Sequence, residues 1–214
     1  TRGSFIQSSF HGNLGYIGLA VAFYYIGDRG LAKASIIAGF VMILQNILAV
    51  IVLQYHCRED GQHGGIIDAL KTTLANPVVL SAMAGILYSL SGLGMPLIVE
   101  RTLVIIKGMD LPMALLIIGA SLSFEKIIPM FRPVALSSVL KTIILPAVGL
   151  ALFKLTGADP SDYLPGLIIL SSPTATLTYV LAREIGGDPD YAVAAISICT
   201  IFSSLTYGLW LTIG

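Results

Sequence analysis

Long apolar runs alternate with short polar or Gly/Pro-rich breaks along nearly the whole chain. A helix needs about 20 predominantly apolar residues to cross hydrocarbon, and on that measure the sequence predicts about seven spans. They run from Phe5 to Ile26, Leu31 to Tyr55, Val78 to Leu90, Leu97 to Phe124, Val134 to Leu155, Tyr163 to Ile185 and Tyr191 to Ile213. The segment "GDRG" ends the first. An aqueous loop, "HCREDGQHGG", follows the second, and a short amphipathic piece, Ile66 to Leu74, leads to the boundary at Asn76 and Pro77. The third span can extend through "SGLGMP". Lys107, Gly108, Asp110 and Pro112 interrupt the fourth, and "EKIIPMFRP", Glu125 to Pro133, reads as a polar turn.

Composition agrees with this pattern. Of 214 residues, 56% are hydrophobic and 11% charged, against roughly 25% charged in soluble domains. The fold class is therefore an all-α membrane protein. A formal net charge of zero gives nucleic acid no electrostatic handle. Cys57 and Cys199 are too few and too differently placed for a disulfide framework or a metal site, and no cofactor is expected. Thr1 to Gly12 holds one Arg and no long apolar region, so a signal peptide is not expected, and the chain reads as lacking earlier spans. Arg2, Arg58, Lys71, Lys126, Arg132 and Arg183 fall on one side; Arg29, Lys33, Arg101, Lys107 and Lys154 fall on the other. The slight excess places the Thr1 end, the His56 loop and the Glu125 turn in the cytoplasm.

A shift of 160 positions lays Gly27–Ile36 ("GDRGLAKASI") on Gly187–Ile196 ("GDPDYAVAAI"), with Gly, Asp, Ala, Ala and Ile in common. The same shift sets Asn13 on Pro173. The first and sixth spans are separated by an odd number of crossings, so the repeat is inverted, which is the pattern of secondary transporters.

Within the first span, "HGNLGYIG" concentrates His11, Gly12, Asn13, Gly15 and Gly18; within the sixth stands "SSPTATLTY". Glycines lower helix propensity by up to about 1 kcal/mol each, and a proline removes an N–H. Unwound backbone survives at membrane depth only where it faces protein or a wet cavity. Both segments are therefore expected to be broken helices, whose exposed N–H groups and positive ends suit an anion. Small residues at this spacing also serve close helix packing.

The stretches "FHGNLGYIGL", "NPVVLSAMAGILYSLSGLGMP", "LPMALLIIGASLS" and "SSPTATLTYVLAREIGGD" resemble the auxin efflux carrier (PIN-like) family, in the order of its bacterial members. The resemblance implies a ten-helix transporter of two inverted five-helix repeats, of which this chain holds helices 4–10. Residues 1–55 are then the last two helices of the first repeat, 56–75 a cytoplasmic loop, and 76–214 the second repeat. It implies an efflux carrier of the cytoplasmic membrane, moving auxin-like anions or dicarboxylates by alternating access, with a homodimer as a further expectation. By resemblance, Asn13 with Gly12 and Pro173 with Thr174 sit at a crossover, where freed amides hold the carboxylate; Gly15 and Ser172 beside them are further substrate-binding candidates. The chain departs from the family at Ala20, where members often carry proline.

Other buried polar groups are candidates for the same site. Gln45 and Asn46 lie midway through the second span, where amides are costly unless paired; they either contact substrate or pin the first broken helix. Lys141 lies about two turns inside the fifth span, where it either snorkels to the interface or neutralises an anion or a helix end. His11, placed near the membrane edge, reads as an ordinary hydrogen-bonded histidine. Of Tyr16, Tyr24, Tyr25, Tyr207 and Trp210, those near span ends read as interfacial anchors, while Tyr16 and Tyr179 are weaker candidates to line the site. Three other readings are open: a seven-helix receptor, which needs no inverted repeat; an intramembrane enzyme, which needs a reactive pair not found here; and a bile-acid/sodium symporter-like carrier, which needs more cation ligands.

Overall fold

A computed structural model describes residues 1–57, 77–121 and 124–214. The loop expected after His56, the amphipathic piece at 66–74 and Asn76 lie outside the described residues. Among the described residues every named element is helical. In chain order they are α1 (Arg2–Phe10), a π-helical turn (Leu14–Gly18), α2 (Leu19–Cys57), α3 (Pro77–Leu90), α4 (Leu97–Ser121), α5 (Phe124–Val139), a second π-helical turn (Leu140–Ile144), α6 (Leu145–Leu155), α7 (Pro160–Leu170), α8 (Leu177–Ile185) and α9 (Pro189–Ile213). By length and composition, three described stretches can cross a membrane: Leu14–His56, Ile127–Leu155 and Pro189–Ile213. The first is kinked into two arms at Gly27, whose φ of 66° and ψ of −167° only glycine adopts without strain. The kink falls in "GDRG", where the sequence placed the end of its first span.

Two expected breaks are absent. Glu125 to Pro133 is helix rather than a polar turn, bent at Met130 (φ −113°, ψ 15°), because Pro129 and Pro133 each remove one N–H without ending the ladder. The chain likewise stays helical from Leu97 to Ser121 through Lys107–Pro112, since unravelling more backbone in an apolar setting costs more than the one bond Pro112 removes. The third span, however, stops at Leu90 rather than running on: Gly92, at φ 66°, turns the chain.

Alanines line the tightest seams. Ala22, Ala34 and Ala38 let both arms of α2 approach α7 around Ile168 and Ile169, and Ala194 and Ala195 of α9 lie against Val134 of α5. Small residues allow close backbone approach where hydrophobic sorting gives no drive. Large apolar side chains point outward instead, among them Ile36, Phe40, Val104 and Leu205, as lipid-facing surface requires.

Prolines also bind the bundle together. Pro146 has no N–H for the Thr142 carbonyl one turn back, and Trp210 Nε1 of α9 donates to that carbonyl at 2.7 Å. Pro165 similarly frees the Ser161 carbonyl, which accepts from Lys33 Nζ at 3.4 Å. Tyr191 donates to Pro133 O at 3.0 Å and shares a 2.7 Å hydrogen bond with Ser137 Oγ. Trp210 and Tyr207 are thus buried struts, not the interfacial anchors their positions suggested; Tyr16, Tyr24 and Tyr25 are exposed.

Candidate functional site at the helix crossing

Both segments expected to be broken are broken, and they touch. α1 ends at Phe10, His11 turns extended (φ −75°, ψ 96°), and helix resumes only at Leu14. α7 ends at Leu170 and α8 begins at Leu177. Between the breaks, Gly12 and Thr174 form an antiparallel bridge. Asn13 N–H donates to Pro173 O at 2.7 Å, and Ala175 N–H donates to His11 O at 2.9 Å. Asn13 and Pro173 are the two positions that the sequence offset paired.

The polar backbone set free by each break is accounted for almost group by group, as a buried location demands. At the end of α7, Leu167 O accepts from Ser171 N–H and Oγ–H, and Ile169 O accepts from Ser172 N–H and Oγ–H. Ile168 O accepts from Tyr207 at 3.1 Å, and Leu170 O accepts from Lys141 Nζ at 2.8 Å. Helix ends leave four carbonyls unpaired, and here side chains of other helices take two of them. At the first break, the Gln45 carboxamide grips Gly12 twice: Gly12 N–H donates to Oε1 at 3.0 Å and Nε2 donates to Gly12 O at 3.0 Å. Thr174 N–H points at Cys199 Sγ (3.3 Å), while Thr174 Oγ donates to Ser8 O at 2.9 Å.

The amides of Gly12, Asn13, Thr174 and Ala175 are therefore spent within the protein. Those of Gly15, Thr176 and Leu177, at the starts of the first π turn and α8, have no protein partner among the described residues. Asn13 Oδ1 caps the π turn by accepting Tyr16 N–H at 3.2 Å, while its Nδ2 has no partner among the described residues.

Gly12 has no room for a side chain: a Cβ would lie 2.5 Å from Ser172 Oγ and 3.2 Å from Lys141 Cε. Lys141 does not snorkel. It is 1% exposed and stands on the second π turn, a helix defect that recurs at functional sites. His11 is not at an edge either: buried at the crossing, it accepts from Gln7 Nε2 at 3.3 Å, and Asn46 lies beside its ring. Gln7 Oε1, Ser8 Oγ, Asn46 Oδ1 and Thr178 Oγ1 are buried without a hydrogen-bond partner. A Cβ on Gly15 would meet Met42 Cε at 3.3 Å. Sequence reasoning singled out neither Ser8, Thr178 nor Cys199 as part of this cluster; their only signal was a hydroxyl or thiol inside an apolar helix. Among the described residues no group of His, Cys, Asp and Glu could hold a metal ion.

A family of membrane transport proteins matches residues 66–211. Among curated relatives, an uncharacterized transporter of Methanocaldococcus jannaschii is 25% identical over 212 residues, covering 97% of this chain and 67% of its own. A protein of Rhizobium meliloti provisionally named a malonate transporter is 23% identical over 198 residues, covering 92% of this chain and 62% of its own. The chain thus spans less than two thirds of the second relative and about two thirds of the first. No solved structure matches. With apolar helices of membrane-spanning length and a match over most of its residues, the chain belongs to the membrane transport protein family of the auxin efflux carriers, and it is an integral membrane protein.

Proposed function

We propose that the protein is a secondary transporter of the cell membrane for small organic anions, auxin-like acids or dicarboxylates, which bind where the two broken helices cross. The observation that carries this reading is the direct pairing of the breaks, Asn13 N–H to Pro173 O. Unwound backbone is expensive in a membrane and is tolerated where it is buried in protein or lines a cavity, the setting in which transporters of this kind hold substrate. The unpartnered amides of Gly15, Thr176 and Leu177 and the Asn13 carboxamide supply donors of the kind a carboxylate accepts, at helix N-termini whose dipole favours an anion. The inverted repeat, which sets Asn13 on Pro173, supports two opposed halves moving in alternating access. The name of the Rhizobium meliloti relative points to the same substrate class.

The test is reconstitution of the full-length protein in liposomes with a panel of labelled carboxylates. Saturable, carrier-dependent uptake of at least one is expected. Asn13→Ala should abolish it. Asn13→Asp, which keeps the acceptor for Tyr16 N–H but loses the Nδ2 donor, should lose it as well. Silence across the panel, or normal transport by both variants, defeats the reading.

A further inference from the structure

Four helix ends meet at the crossing. α1 and α7 bring C-termini, while the first π turn and α8 bring N-termini. Each end carries about half a charge, positive at N-termini and negative at C-termini, so the four sum to roughly zero. Onto this balance the structure adds one whole charge. Lys141 is buried, its stem runs beside Gly12, and its ammonium donates to Leu170 O at the negative end of α7. Of the three donors on that ammonium, one is used in this way. No described acidic residue pairs with it: Lys33–Asp162 is the ion pair between described side chains, and it is exposed. Among the described residues the titratable groups facing Lys141 are His11 and Cys199, neither a carboxylate. A buried charge is retained only when something compensates it, and among the described residues no acidic side chain does.

We propose that Lys141 is the charge-matching residue of the site: it supplies one fixed positive charge that pairs with one carboxylate of the substrate. This rests on the crossing being the anion site. The consequence is electrical. A carrier loaded with a monocarboxylate crosses the membrane neutral. The empty carrier returns with one positive charge, and a doubly charged dicarboxylate crosses with one negative charge uncompensated. Lys141 therefore biases the site toward singly charged acids.

The experiment is counterflow in liposomes holding the full-length protein and the unlabelled acid, with the same acid outside carrying the label, under a potential imposed by a potassium gradient with valinomycin. For the wild type, monocarboxylate counterflow should be insensitive to the potential, and dicarboxylate counterflow should respond to it. Lys141→Gln should weaken monocarboxylate affinity by about tenfold or more and make the residual monocarboxylate counterflow voltage-sensitive. Wild-type monocarboxylate counterflow that follows the potential overturns the proposal, whether or not the variant folds. So does a folded Lys141→Gln carrier with unchanged affinity and voltage response. Absence of counterflow for every carboxylate in the wild type overturns the transport reading itself, and this one with it.

Discussion

Gln45 separates a strut from a ligand more sharply than any other residue of the crossing. Replacing it by leucine keeps most of the volume and removes both hydrogen bonds to Gly12, each 3.0 Å long. The two losses are unequal. Gly12 O keeps Leu14 N–H at 3.0 Å, so its cost is close to that of an ordinary bond, about 1 kcal/mol. Gly12 N–H has no second partner and is stranded in a buried site, costing about 1–3 kcal/mol. The sum is about 2–4 kcal/mol, and at about 2–4 °C per kcal/mol for a chain of this size the apparent melting temperature should fall by about 4–16 °C. Trp210 is the single tryptophan of the chain and is buried, so its fluorescence on heating the detergent-solubilised protein reports the transition directly. Transport should fall in proportion to the folded fraction, with KM for the carboxylate unchanged. Melting within about 1 °C of the parent, together with a raised KM, would refute the reasoning: Gln45 would then be holding substrate rather than backbone.

Two further substitutions test the same accounting. Gly12→Ala places a methyl 2.5 Å from Ser172 Oγ and 2.9 Å from Leu14 Cδ2; the overpacking should cost about 1–3 kcal/mol, read as a lower melting temperature and reduced uptake, and a variant as stable and active as the parent contradicts the packing described. Trp210→Phe leaves the Thr142 carbonyl without its donor, since Pro146 cannot replace it; a loss of about 1–3 kcal/mol is expected by calorimetry, and an unchanged melting profile means that carbonyl has another partner.

The places where the helices break were legible because the cause is local. Gly12, Asn13 and Gly15 in one span, and Ser172 and Pro173 in another, disfavour helix whatever surrounds them. The offset that laid Asn13 on Pro173 even named a touching pair. What the breaks hold on to was not legible, because it is set at long range. Gln45 reaches back 33 residues to Gly12, and Lys141 reaches 29 forward to Leu170. The residue types allowed either a substrate contact or a structural one, and distance alone decides. The two π turns have no sequence signature of their own. Tyr207 and Trp210 were misjudged for a related reason: aromatic residues near a span end usually seek the interface, but unpaired carbonyls on α7 and at Thr142 draw these two inward. The prolines near Glu125 misled in the opposite direction, suggesting a turn where the chain only bends.

α9 is fastened to its neighbours at three heights. Tyr191 reaches the Pro133 carbonyl, Tyr207 the Ile168 carbonyl and Trp210 the Thr142 carbonyl. Were α9 to slip one turn along its axis, the Ile168 and Thr142 oxygens would be left bare in oil, at several kcal/mol apiece, and Pro133 O would lose its second donor. The stretch from α5 to α7 and α9 is therefore held as one riveted plate, whose helices cannot slide past one another without breaking these bonds.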